Sequence, residues 1–350
     1  MGANDQIGVG IIGCGDGGTS NARALQGIKE AQIVGFCDVN GGRLAVALEE
    51  FGGNGYLELA AMLDNPNVEL VVVATPDDQH LAPVKAALEA GKHVFLEKPV
   101  ATTRSDLAAI RDLVRQYPGK LWFGEKYSRA YPIEAAIVRR DALGPFMWGS
   151  TLYAMWRCGR IMGDGKWRTE TAYNPCAGGL SHNFMTALLF TGAPIRSIRA
   201  TGQVLTYHKY LDYYEGYDTM EGTLEFENGR RLSWVICLAV QGDGSPLAHR
   251  TISHTFQFEH GALAYGPTPD GDRLIVGGKS ISFLPEPPLE EWPAYNIGTL
   301  YRGMHADIFA AIRGEREPRH TIEQGINVAA ACALAFKSAH QDGRWWLEVP

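Results

Sequence analysis

Long apolar runs and blocks of one charge are both missing from the sequence. No apolar stretch reaches the length that spans a bilayer, and the N-terminus lacks the basic-then-apolar pattern of a signal peptide. Acidic and basic residues are interspersed and the formal net charge is -7, so no patch attracts a phosphate backbone. We therefore expect neither a membrane nor a nucleic acid as a partner.

Cysteine is also scarce. The 350 residues include 6 cysteines, and no two of them form a C-x-x-C pair. His249, His254 and His260 have no recognised zinc spacing, and on a strand the last two would lie too far apart to bind one ion. These features predict a reduced, cytoplasmic protein with no metal site.

The first 125 residues contain an alternation of short apolar runs and helical patterns. Near-continuous apolar strands separated by helices predict a parallel sheet covered on both faces. Thr103 and Asp106 have the spacing of a capping box before the last of these helices. The predicted strands are 7–12, 33–37, 70–74, 93–97 and 121–124, and the predicted helices are 19–28, 42–51, 77–90 and 107–116.

After residue 125 the runs become longer, alternating and aromatic. Residues 222–226, 231–240 and 251–259 predict antiparallel strands, and residues 304–339 predict helix. The length of 350 residues favours two domains. We therefore predict an α/β protein with a Rossmann domain over 1–125 and a sheet-rich domain over 126–350, whose C-terminal helices could pack back on the first domain.

A glycine-rich turn between the first strand and the first helix predicts a dinucleotide site. Gly13-Cys14-Gly15-Asp16-Gly17-Gly18 matches G-x-G-x-x-G, in which the glycines allow a tight turn, close approach of a pyrophosphate and close helix packing. Asp38 ends the second strand, where a carboxylate would hold the adenosine ribose hydroxyls. Its charge would repel a 2′-phosphate, which favours NAD over NADP, although Arg43 could reach such a phosphate.

Polar residues follow three further predicted strands, at Thr75-Pro76, Glu97-Lys98 and Glu125-Lys126-Tyr127. Ligands of open α/β sheets bind beyond the carboxyl ends of the strands, so these residues are expected at one crevice. A lysine there could hydrogen-bond a substrate hydroxyl and lower its pKa, which promotes hydride transfer to a nicotinamide.

The ordered motifs resemble those of the glucose-fructose oxidoreductase, inositol dehydrogenase and rhizopine-catabolism family (Gfo/Idh/MocA). The likeness rests on the glycine turn, T-P-x-x-x-H at Thr75 to His80, E-K-P at Glu97 to Pro99, and the ending that begins at His305. It implies an NAD(P)-binding Rossmann domain and a C-terminal α/β domain with a large, mainly antiparallel open sheet that often forms a dimer or tetramer contact.

The resemblance also implies a sugar or cyclitol substrate, a catalytic Lys98 and often a cis bond before Pro99. The family's D-x-x-x-H segment aligns on His182, a candidate general base, with Gly178 in place of the aspartate. Tyr127, Tyr173, Asn183 or Asp164 could replace that carboxylate, and Tyr127 is preferred. The predicted cofactor contacts are Gly13, Gly15, Asp16, Gly17, Gly18, Asp38, Thr75, Pro76, His80, Glu97, Lys98 and Trp167.

Two aromatic segments allow alternative interpretations. Residues 156–168 could form a lid over a sugar, with Trp167 against the cofactor, or a surface loop whose tryptophans pack inward. Residues 207–214 suit a subunit interface or a pocket wall. We expect a homodimer or a homotetramer.

Three functions fit these residues. The first is NAD-dependent oxidation of a secondary hydroxyl of a sugar, cyclitol or derivative. The second is a redox-neutral reaction on tightly bound NAD, by elimination, epimerisation or glycoside cleavage, which the altered D-x-x-x-H segment suggests. The third is a non-catalytic NAD or sugar sensor, since a fold does not fix a function.

Overall fold

A computed structural model describes residues 6–125, 140–155, 175–205, 216–238, 250–265, 273–276, 278–282, 297–341, 343 and 346–347. The chain divides into two compact units. Unit 1 comprises Met1–Arg129 and Glu291–Ile326, and unit 2 comprises Ala130–Glu290 and Asn327–Pro350. In the described part of the chain, no helix combines the length and the apolar character of a membrane span.

Fifteen strands and nine helices are numbered among the described residues. The strands are β1 (Ile7–Ile12), β2 (Ala31–Cys37), β3 (Asn54–Tyr56), β4 (Leu70–Val73), β5 (His93–Leu96), β6 (Leu121–Phe123), β7 (Phe146–Met155), β8 (Ile195–Gln203), β9 (Thr219–Phe226), β10 (Arg231–Cys237), β11 (Arg250–Phe258), β12 (Gly261–Tyr265), β13 (Arg273–Val276), β14 (Lys279–Ser282) and β15 (Trp346–Leu347). The helices are α1 (Asp16–Leu25), α2 (Gly41–Phe51), α3 (Leu59–Leu63), α4 (Leu81–Glu89), α5 (Arg104–Gln116), α6 (Arg140–Leu143), α7 (Pro175–Thr191), α8 (Ile297–Ile312) and α9 (Ile322–Ala339).

The sheet of unit 1 is parallel throughout and has the order β3-β2-β1-β4-β5-β6. Strands β1, β4 and β5 are almost wholly buried and apolar, because helices cover both faces. The chain runs outward from β1 to β3 and then crosses to β4, so the strand order reverses beside β1. Ligands of such sheets bind at this switch point.

The parallel sheet is confirmed, with some differences in the elements. Helix α1 begins at Asp16 rather than at residue 19, because the glycine turn leads directly into it. The predicted helix over 77–90 starts with a short 3-10 turn, Asp77–Gln79, before α4. Strand β3 and helix α3 were not predicted, because each is too short for an apolar period to emerge.

Helix α8 completes the core of unit 1, although it follows the sheet by more than 170 residues. It packs against α1. Tyr301, Met304, Ile308 and Phe309 join the buried cluster that contains Leu25, Phe95 and the β1 side chains. Removal of this apolar surface from water stabilises the Rossmann unit.

The helical tail predicted over 304–339 contains two helices. Gly314 ends the first with a φ of +70°, a conformation that glycine adopts without strain. Pro318 lies in the connection, and a capping box opens α9. In that box the Thr321 N–H donates to Gln324 Oε1 at 3.0 Å, and the Gln324 N–H donates to Thr321 Oγ1 at 3.2 Å.

The sheet of unit 2 has nine strands in the order β14-β13-β12-β11-β7-β10-β9-β8-β15. Its pairs are antiparallel except for β7 with β10, which confirms the mainly antiparallel second sheet. Helix α7 packs on β7, β9 and β10. Phe184 of this helix meets Trp234 edge-on at a ring distance of 5.3 Å.

Candidate active site

The carboxyl ends of three neighbouring strands of unit 1 carry the predicted motifs. The glycine turn follows β1, Thr75 follows β4 and Lys98 follows β5, and these strands are adjacent in the order β1-β4-β5. Parallel strands end at the same edge of a sheet. The topology therefore brings the glycine turn and Lys98 to one edge.

The glycines of the turn differ in the space around them. Gly13 has a φ of +92°, and a Cβ there would meet the Ala74 carbonyl oxygen at 2.6 Å. A Cβ on Gly18 would meet the Gly13 carbonyl oxygen at 1.8 Å, so α1 packs directly on the turn. Gly15 is different, because a Cβ there would have no neighbour within 4 Å.

The start of α1 is suited to an anion. Its N-cap is Gly15, and no side chain caps it. The backbone N–H groups of a helix start attract a phosphate, and the open space at Gly15 lets one approach the main chain. These features fit the pyrophosphate of a dinucleotide cofactor.

Asp38 organises the region where the adenosine ribose would lie. Its Oδ2 accepts from the Cys14 N–H at 2.7 Å, and its Oδ1 accepts from the Asn40 N–H at 2.8 Å. Asn40 in turn caps α2, accepting from the N–H groups of Gly42 and Arg43, each at 3.0 Å. The carboxylate is partly exposed, so it can also accept a hydrogen bond from a ribose hydroxyl.

The two cysteines beside the turn are poor nucleophiles. Burial, followed by the charge of Asp38, raises the pKa of Cys14 to about 12. The same two causes raise the pKa of Cys37 to about 11. Both side chains stay protonated at neutral pH, so they act as small apolar groups.

His80 joins the loops that follow β4 and β5. The imidazole is 1% exposed, with Nδ1 2.8 Å from the Pro99 carbonyl oxygen and Nε2 3.2 Å from that of Thr75. The Lys98-Pro99 peptide bond is cis. His80 therefore contacts loop backbone on both sides, and its geometry suits holding these loops together.

Glu97 and Lys98 connect to a buried polar group that the sequence patterns did not single out. Asn21 of α1 donates from Nδ2 to Glu97 Oε1 at 2.9 Å, and Glu97 Oε2 accepts from the Lys98 N–H at 3.3 Å. Asn21 also accepts from His305 of α8. The sequence held one local signal for Asn21: it is a polar residue next to Ala22 on the apolar face of α1.

His182 belongs to unit 2. It lies within α7 rather than at the start of that helix, is 6% exposed, and stacks on Tyr153 at a ring distance of 6.4 Å. Gly178 lies one turn earlier, on the same side of the helix. Asn183 is 1% exposed, and its Nδ2 has no hydrogen-bond partner among the described residues. Tyr153 was not predicted, because it lies on a strand that the sequence patterns missed.

Several predicted site residues lie outside the described residues, namely Tyr127, Asp164, Trp167, Tyr173, His249, and the segments 156–168 and 207–214. His254 is buried on β11, and burial lowers its pKa to about 4. Among the residues that are described, no three His, Cys, Asp or Glu side chains cluster as metal ligands.

Residues 7–125 match the family model of the Gfo/Idh/MocA oxidoreductases, described as an NAD-binding Rossmann fold. The match covers about a third of the chain. Inositol 2-dehydrogenase of Salmonella typhimurium is 30% identical over 129 residues, which is 35% of this chain and 38% of the relative. A glycosyl hydrolase family 109 protein of Shewanella sp. is 29% identical over 181 residues, 47% of this chain and 40% of the relative. The matches thus span about two fifths of each relative's length.

The fold of this chain is similar to that of a solved structure, levoglucosan dehydrogenase in complex with NADH and levoglucosan. The TM-score is 0.84 and the identity is 19%, and the match covers 98% of this chain and 99% of that one. At this identity the likeness concerns the fold alone. The family model assigns an NAD-binding Rossmann fold to residues 7–125.

Proposed function

We propose that this protein oxidises a secondary hydroxyl of a sugar, a cyclitol or one of their derivatives, with NAD as the hydride acceptor. The observation that carries the proposal is Lys98, which follows β5 at the sheet edge where the glycine turn follows β1. The relatives support the substrate class by name, since one is an inositol dehydrogenase and a structural neighbour binds levoglucosan.

Lys98 is the proposed electrostatic catalyst. Its ammonium would donate a hydrogen bond to the substrate hydroxyl oxygen and stabilise negative charge as the proton leaves. NAD, when bound, supplies the nicotinamide ring that takes the hydride. Asp38 and the glycine turn would hold the adenosine and pyrophosphate parts of that cofactor.

His182 is the proposed general base that takes the hydroxyl proton. A neutral imidazole suits this role near neutral pH. The family carboxylate that would orient such a histidine is replaced by Gly178, so another group must take over. Tyr127 is the preferred substitute, and Asn183, Tyr173 and Asp164 are the others.

NAD is proposed over NADP for two reasons. The charge of Asp38 repels a 2′-phosphate. The N–H groups of Gly42 and Arg43 already donate to Asn40, so the start of α2 has fewer N–H groups left to bind that phosphate. The Arg43 guanidinium could favour NADP instead. Binding of both cofactors, measured by calorimetry, decides between them, and tighter NADP binding would reject the proposal.

The test follows the NADH absorbance band with purified protein, NAD and a panel of sugars, cyclitols and uronates. We expect substrate-dependent NADH formation, with kcat lowered about 100-fold or more in Lys98→Ala, because one positioned charge is worth that much in a transition state. Lys85→Ala is the matched control, since Lys85 lies on the surface of unit 1 in an exposed pair with Glu89. Full activity in Lys98→Ala would refute the assignment.

The same assay tests the redox-neutral alternative, for which the motive is Gly178 in place of the family aspartate. That function predicts NAD retained through purification, with product formed but no net NADH. Equal sugar binding by wild type and Lys98→Ala, with turnover in neither, would instead indicate a sensor.

A further inference from the structure

We propose that Asn21 and His305 are positioning residues that fix Lys98 relative to the glycine turn. The inference rests on the proposed role of Lys98. It concerns buried residues of unit 1 near the sheet edge at which the cofactor would bind. Neither residue needs to touch substrate or cofactor, because both act through Glu97 and the backbone.

The amide of Asn21 links the start of α1 to the loop that follows β5. Asn21 is 0% exposed and its Nδ2 donates twice, to the Gly17 carbonyl oxygen at 2.8 Å and to Glu97 Oε1 at 2.9 Å. Gly17 lies in the first turn of α1, four residues before Asn21 on the same helix, and Glu97 immediately precedes Lys98. One planar side-chain group thus connects α1, which begins directly after the glycine turn, with the loop that carries Lys98.

Glu97 transmits this constraint to Lys98. The carboxylate is 8% exposed, and its second oxygen accepts from the Lys98 backbone N–H at 3.3 Å. A carboxylate bonded through both oxygens has one orientation, so the peptide between Glu97 and Lys98 is fixed in the plane that the Asn21 amide dictates.

His305 determines which way the Asn21 amide points. Its Nε2 lies 2.7 Å from Asn21 Oδ1, and an amide oxygen can only accept, so the imidazole donates and carries its proton on Nε2. The ring is 0% exposed, and burial lowers its pKa to about 3, which keeps it neutral. With Oδ1 so engaged, Nδ2 must face Gly17 and Glu97.

Packing alone does not require these polar groups. The His305 ring lies between the tilted rings of Phe95 and Phe309, at ring distances of 5.0 and 6.3 Å, so its surroundings are largely apolar. A polar group in such a site carries a desolvation cost that a hydrophobic residue avoids. An orienting role gives a reason for its presence, since an error of about 1 Å in a reacting group can lower a rate about 100-fold.

The test compares wild type with Asn21→Leu, His305→Leu and His305→Gln. Glutamine can present an N–H close to the position of the imidazole Nε2, so it is the conservative rescue. We expect Asn21→Leu and His305→Leu to lower kcat about 10-fold or more with KM changed less than about threefold, and His305→Gln to recover most of kcat. Melting temperatures are measured beside the kinetics.

A second readout does not depend on turnover. Acetylation of Lys98 is followed by peptide mass spectrometry with and without saturating NAD, with Lys85 as the internal control. We expect NAD to protect Lys98 in wild type and His305→Gln, and this protection to fall about threefold or more in the two leucine variants. Wild-type protection and kcat in both folded leucine variants would overturn the proposal. If no substrate turns over but the protection pattern is the expected one, the positioning role is supported and the proposed dehydrogenase function is rejected.

If Asn21→Leu does not fold, the His305→Leu and His305→Gln pair decides. Loss of Lys98 protection in the first and its recovery in the second supports the proposal. Equal protection in both contradicts it.

Discussion

At the scale of single residues, the glycine turn contains one glycine that suits cofactor binding and another that is needed for packing. Gly15 and Gly18 belong to the same motif, yet their surroundings differ completely. A methyl group on Gly18 would overlap backbone, whereas one on Gly15 would enter open space. The two glycines therefore have different tasks, and one substitution at each distinguishes them.

We predict that Gly15→Ala keeps the stability of the fold but weakens NAD binding about 10-fold or more. Gly15 has a φ of -79°, which alanine adopts without strain, and its methyl group would occupy space needed by the pyrophosphate. Calorimetric titration with NAD and thermal melting measure the two effects. Unchanged NAD affinity would show that the pyrophosphate does not bind against Gly15.

Gly18→Ala should do the opposite and lower the free energy of unfolding by about 3 kcal/mol, because the turn must move to admit the methyl group. A melting temperature equal to that of wild type would refute this packing role. If the protein still folds, any loss of NAD affinity would follow from the displaced turn.

Among the elements, helix starts are where local chemistry is easiest to test. Thr103 caps α5, and its Oγ1 accepts from the Asp106 N–H at 3.1 Å. We predict that Thr103→Ala lowers the free energy of unfolding by about 1 kcal/mol, whereas Thr103→Ser retains most of it. Thr102→Ala is the control, and urea unfolding followed by circular dichroism is the measurement. Equal losses in the alanine and serine variants would contradict the capping role.

The elements that sequence patterns predicted are those with a strong local signal. The buried strands of unit 1 are short apolar runs bounded by turns, and Thr103 precedes a clear apolar period. Helix α7 has no such period, because its described part is buried on almost every side. Strand β7 was missed for a related reason: its Met147 and Trp148 are both exposed, which breaks the alternation expected of a strand.

The candidate site divides in the same way. The glycine turn is a motif of six residues, and Asp38 and Lys98 follow predicted strands, so local sequence patterns could predict all three. Asn21 and His305 are 284 positions apart, and only the tertiary fold brings them together. No periodicity within either helix could have predicted that bond.

For the molecule as a whole, the segment that matches the family model does not contain the complete core of unit 1. Residues 7–125 contain the parallel sheet, but α8 supplies four side chains of its core cluster. We predict that a fragment of residues 1–129 is aggregated or unfolded when expressed alone. Coexpression with residues 291–326 should yield a soluble complex with the circular dichroism of an α/β domain. A monomeric, cooperatively melting 1–129 fragment would show that α8 is dispensable.

The late position of α8 also has a consequence during synthesis. About 180 residues separate the end of the first segment of unit 1 from Phe309, and ribosomes add about 5 to 20 residues per second. For about 10 to 40 s, the nascent Rossmann segment would expose the apolar face that α8 later covers. This interval is long compared with the collapse of a chain, so we expect chaperones that shield apolar surface to bind the nascent protein until translation ends.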